Sequence, residues 1–71
     1  MKKNTINLNS IEKKLEALDF SAWEIRDAIP AESEIDNSEI PQAEEIIFKM
    51  NQIITYLQDS KSRLETAICY A

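Results

Sequence analysis

The stretch "IIFKMNQIITYL", residues 46–57, decides how this chain is read. Ile46, Ile47, Met50, Ile53, Ile54 and Leu57 recur at steps of three, four and seven, which gathers them on one face of an α-helix. The ladder extends outward in both directions: Ile40, Ala43, Ile47, Met50, Ile54, Leu57, Lys61, Leu64, Ile68, with Ile46, Ile53 and Ala67 as a flanking row. A stripe of that width suits a helical bundle better than a two-stranded seam. Lys61 is the one misfit, and its aliphatic stem can lie along apolar surface while the ammonium reaches water. Pro41 is acceptable in a first turn, where its missing N–H has no intrahelical role. Glu44 and Glu45 near the N-terminus favour the helix dipole, and Glu45–Lys49 and Asp59–Arg63 are correctly oriented i,i+4 pairs. The reading is one helix over about residues 40–69.

Toward the N-terminus a second ladder runs Leu8, Ile11, Leu15, Leu18, Ala22, Ile25, Ile29, again alternating threes and fours. Asn9 and Glu12 have the spacing of a capping box, and Pro30 stops the helix because its ring clashes with the preceding turn. The expected helix covers about residues 10–29. "FSAWEI" (20–25) offers a rival start, with Ser21 and Glu24 as a second capping box and Phe20 and Ile25 as a hydrophobic staple. A break at Asp19–Ser21 would make two short helices. The unbroken phase and the lack of glycine or proline within this stretch favour a single one.

Between the ladders lies "IPAESEIDNSEIP", residues 29–41, with a proline near each end and no basic residue. The expected architecture is all-α: a single antiparallel helical hairpin of unequal arms over residues 1–71, joined by an acidic loop at about 30–39. Seventy-one residues bury little surface, and a core this small supplies only about 3–5 kcal/mol. One cysteine forms no internal disulfide, and a chain without histidine or a CxxC pair has no ligand set for structural zinc. Completion by dimerisation or by a helical partner is the expected remedy.

The net charge is −5, unevenly placed. Residues 1–23 carry four basic and three acidic groups, residues 24–45 one and eight, residues 46–71 three and two. This acidity argues against direct binding to nucleic acid, which needs lysine and arginine against phosphate. A helix–turn–helix DNA reader is disfavoured too, since the connection exceeds the usual three- to four-residue turn and neither helix has a basic face. Glu32, Glu34, Asp36, Glu39, Glu44 and Glu45 form the candidate acidic patch, suited to a basic partner or to imitation of phosphate spacing. Counted from Glu34 as a calcium loop, Glu45 falls at the twelfth place. Glu39 nevertheless stands where glycine is needed and Pro41 occupies the eighth place, so no metal is expected.

Phe20 and Trp23 lie away from the Leu15–Leu18–Ile25 stripe, and paired exposed aromatics suggest a docking surface. Phe48, Tyr56 and Tyr70 are read as falling beside the second helix's stripe, where they widen an interface. Catalysis has little support: no histidine, no glycine-rich phosphate loop, no nucleophile with a base, and no cleft to shift the pKa of the Glu12–Glu16 or Glu44–Glu45 carboxylates. Cys69 reads as a passive thiol. The expectation is a non-enzyme without cofactors.

Lys2 and Lys3 have the charge of a signal-peptide start, but "NTINLNS" follows where an apolar core belongs. No stretch reaches the roughly 20 apolar residues of a membrane span. A lone cysteine without an export signal fits a reducing cytoplasm.

The two ladders and the proline-bracketed "IPAESEIDNSEIP" together resemble the small co-chaperones of type III secretion needle subunits. The resemblance covers residues 8–69 as a pattern, with no further signature and no counterpart for Phe20 and Trp23. It implies a short hairpin that pairs with a helical-repeat chaperone to hold the needle protein's C-terminal amphipathic helix before export. The first functional expectation is therefore a cytoplasmic adaptor or secretion co-chaperone. Ile46, Ile47, Met50, Ile53, Ile54 and Leu57 would be the main contacts, Phe20 and Trp23 an accessory anchor, and the partner a protein offering a helical groove or amphipathic helix. The alternatives are an acidic inhibitor or nucleic-acid mimic, phage-encoded or antitoxin-like, and a structural homodimeric four-helix bundle.

Overall fold

Asn7 begins the first helix by supplying from its side chain what the backbone lacks. The first N–H groups of a helix have no intrahelical acceptor, and here Asn7 Oδ1 accepts from the Ser10 backbone N–H at 3.1 Å. The Asn7 carbonyl accepts from Ile11 N–H at 3.2 Å. Helix α1 then runs Leu8–Asp27, 20 residues, about 30 Å at the helical rise. The computed structural model describes residues 5–71, so the Lys2–Lys3 pair lies outside the described residues.

The expected cap at Asn9 is corrected to Asn7, two residues earlier. A start at Asn7 puts Ile6 just before the cap and Ile11 at the fourth helical position, the hydrophobic-staple register. A start at Asn9 would have put Lys13 there. It also brings Leu8, the first rung of the ladder, inside the helix. The chain does not break at Asp19–Ser21; α1 passes through Phe20, Ser21 and Trp23 without interruption. It ends at Asp27 rather than at Ile29. Ala28 N–H still bonds to the Glu24 carbonyl at 3.0 Å, whereas Ile29 N–H reaches the Arg26 carbonyl at 3.1 Å in a tighter turn. Pro30 explains the early stop, because a residue preceding proline is pushed out of helical geometry. Arg26 occupies the last turn, where a cation suits the negative end of the dipole.

The connector is more ordered than a featureless loop. Ser33 Oγ donates to the Pro30 carbonyl, and residues 33–36 have no regular structure. A single 3-10 turn follows at Asn37–Glu39, with Asp36 extended before it and Glu39 N–H bonded to the Asp36 carbonyl at 2.8 Å. Helix α2 continues directly from this turn, Ile40–Cys69, 30 residues, about 45 Å long.

Glu39 stands at the N-cap of α2 but makes no side-chain capping bond, and Pro41 lies in the first turn. That first turn carries no acidic residue. The role expected of Glu44 and Glu45 at the dipole is therefore corrected: both lie one turn further in, where the effect has largely decayed. Both i,i+4 pairs form, Lys49 Nζ–Glu45 Oε1 at 3.7 Å and Arg63 Nη2–Asp59 Oδ2 at 2.9 Å. They are solvent-exposed and contribute about 0.3–0.5 kcal/mol each. Within α2 the hydroxyls of Thr55, Ser60 and Thr66 donate to the carbonyls of Asn51, Tyr56 and Ser62 at 2.8–3.0 Å.

The chain divides into two units, Met1–Glu34 and Ile35–Ala71. Among the described residues neither unit contains a buried side chain, and none of the regular structure is strand. Both helices are amphipathic, and the apolar faces that would ordinarily drive packing remain accessible.

Candidate interaction surfaces

Helix α2 positions the main candidate site by its period alone. Ile46, Ile47, Ile53, Ile54 and Leu57 all lie on it at 39–56% exposure, and Met50 is partly covered. Ile40, Leu64 and Ile68 extend the same stripe toward both ends, exposed as well. Four of the six central residues are isoleucine, which loses rotamer freedom in a helix and lowers helix propensity. A helix that concentrates isoleucine on one side gains most of its stability from covering that side. Placing a half-exposed isoleucine fully against a partner contributes on the order of 1 kcal/mol.

Phe20 and Trp23 come together as their spacing requires. Three residues apart on α1, their ring centroids lie 6.4 Å apart at an interplanar angle of 31°, a tilted arrangement within the favourable range for aromatic pairs. Phe20 is 62% and Trp23 52% exposed. At about 100° per residue, the pair lies nearly opposite the Ile11–Leu15–Leu18 stripe. Helix α1 thus carries two apolar faces, one aliphatic and one aromatic.

Phe48 requires a correction, and Tyr56 does not. Phe48 does not widen the α2 stripe, since it lies nearly opposite Met50 on the helical circumference, whereas Tyr56 stands three residues after Ile53 and borders the flanking row. Together with Asn51, Gln52 and Thr55 the two aromatics line a shallow, open depression. The signal was in the sequence, since Phe48 with Asn51, Gln52 and Thr55 is a second patch out of phase with the aliphatic rows, and Tyr56 lies at the border of the two. Tyr70 follows the last residue of α2 and is largely exposed.

The six acidic residues do not belong to one element. Glu32 lies in the turn after Pro30 and Glu34 in the irregular segment that follows; Asp36 precedes the 3-10 turn and Glu39 ends it. Glu44 and Glu45 are on α2, with Glu45 paired to Lys49. All six are exposed. Among the described residues no three of histidine, cysteine, aspartate or glutamate converge closely enough to hold a metal ion. Cys69 closes α2 with an exposed thiol. No helix among the described residues is long and apolar enough to cross a membrane.

The surfaces that the structure presents are therefore an aliphatic stripe on each helix, an aromatic face on α1, an aromatic–amide depression on α2, and an acidic connector. No family model matches the chain, and neither a curated protein nor a solved structure matches it.

Proposed function

We propose that the protein is a small non-enzymatic interaction module, a cytoplasmic adaptor or secretion co-chaperone that works through apolar helix faces. In this reading the chain is one antiparallel helical hairpin of unequal arms, completed by dimerisation or by a helical partner. The observation that carries it is the aliphatic row Ile46–Leu57 of α2, half-exposed along its length on a chain with no buried residue among those described. Such a row matches the anchors of a helix laid into a groove, or of a groove that accepts a helix. Phe20 and Trp23 serve as an accessory anchor, because large aromatics concentrate binding energy at interfaces. The likeness to needle-subunit co-chaperones supplies one concrete version of this role, in which the occupant is an amphipathic helix awaiting export.

Ile53→Asp tests the assignment, since it drives a carboxylate into the centre of the contact without a mate. Calorimetry against the captured partner is expected to show binding lost, with the helix signal of the free variant retained by circular dichroism. A folded variant that binds unchanged would sink the α2 stripe as the docking face.

A second reading is an acidic inhibitor or nucleic-acid mimic. It is favoured by Glu32, Glu34, Asp36 and Glu39, all exposed and in no ion pair among the described residues. Here affinity falls steeply as salt rises, whereas apolar docking is nearly insensitive to it. Replacing Glu32 and Glu34 by glutamine and Asp36 by asparagine would then abolish binding; a negligible loss rejects mimicry.

A further inference from the structure

The aromatic face of α1 has a charge environment of its own. Glu16 lies four residues before Phe20 and Asp27 four residues after Trp23, so each carboxylate is the next side chain along the same face, roughly 5–6 Å away between Cβ atoms. Glu12 continues the row one turn further. None of the three is in an ion pair among the described residues, where both ion pairs belong to α2. Two cations border the face, Lys13 near its N-terminal end and Arg26 three residues after Trp23, and they are outnumbered once Asp19 and Glu24, four residues from Trp23 and Phe20, are added to the carboxylates. Two tilted, exposed rings thus lie between unpaired carboxylates at both ends.

A neutral apolar partner would have to desolvate those carboxylates without return, which is costly. A cation that reaches the rings does the opposite. Ring faces attract it through their quadrupole, and the carboxylates complete its hydrogen bonds. Arginine fits this arrangement better than lysine, because its planar guanidinium stacks on an aromatic ring while its N–H groups still meet a carboxylate.

We propose that the Glu16–Phe20–Trp23–Asp27 face of α1 is a docking site for an arginine-bearing segment of a protein partner, the guanidinium held between the aromatic rings and the flanking carboxylates. It rests on the aromatic anchor of the proposed function and gives that anchor its chemistry. The aliphatic row of α2 is independent of it.

The test uses the full chain and a blocked helical peptide carrying arginines at i and i+4. The readouts are Trp23 fluorescence and the ring-proton resonances of Phe20 and Trp23. The arginine peptide is expected to shift both and to bind about tenfold more tightly than the same peptide with neutral citrulline. The double substitution Glu16→Gln with Asp27→Asn, both outward-facing and compatible with helix, should weaken it about five- to tenfold. The Ile53→Asp variant should respond to the peptide as the native chain does, so failure of the α2 assignment leaves this result untouched. Equal binding of the arginine and citrulline peptides would overturn the proposal. So would a double variant of unchanged affinity, or ring resonances that shift on self-concentration without peptide, which would make a second copy the occupant.

Discussion

Asn7 carries more of the first helix than its size suggests. It accepts a hydrogen bond from an otherwise orphaned N–H at 3.1 Å, and removing such a cap costs about 1 kcal/mol. Asn7→Ala should therefore lower thermal stability or helix content measurably, while Asn9→Ala, already inside the helix, should leave both nearly unchanged. Circular dichroism melts of the two variants check this, and the opposite ranking would return the start to Asn9. The sequence left this choice open because Asn7, Asn9 and Ser10 are all competent caps within four residues. What separates them is the staple register of Ile6 and Ile11, a local signal that a capping-box search starting from Asn9 and Glu12 passes over. Ion pairs, by contrast, were legible from spacing alone: Glu45–Lys49 and Asp59–Arg63 both form, since i,i+4 neighbours meet on any helix.

At the scale of elements, continuity of α1 through Ser21 has a sharp test. Were Ser21 an N-cap, Ala22 would be the first helical residue, a place where proline is welcome. In the continuous helix Ala22 is interior, where proline removes a hydrogen bond and clashes, costing about 3 kcal/mol. Ala22→Pro is expected to remove a large part of the α1 helix signal in circular dichroism; retention of that signal would favour two short helices. Both helices were readable because a 3.6-residue period over 20 or 30 residues is long enough to exclude a strand. The 3-10 turn Asn37–Glu39 was not, being shorter than any period can register. Phe48 was misplaced for a related reason. Attention to the dominant rows hides a residue out of phase with them, although helical geometry puts Phe48 on the far side of Met50.

At the scale of the whole molecule, the described residues contain no side chain withdrawn from water. A chain of this kind is expected to gain its order from company. Light scattering with far-UV circular dichroism across a dilution series should show helix content that falls as concentration falls, or that rises on adding the partner. A monomer whose full helicity is indifferent to both would overturn the need for completion. The connector then acquires a role beyond joining two helices. Residues 28–36 are non-helical and span at most about 30 Å when stretched, so the helix ends they join are tethered within that distance. On the proposed reading, once α2 is seated α1 would sample its own target at an effective concentration on the order of millimolar, and two weak contacts would combine into one strong one. A cut between Ser33 and Asp36 would leave every side chain in place and still dissolve that advantage, turning a bivalent ligand into two monovalent ones.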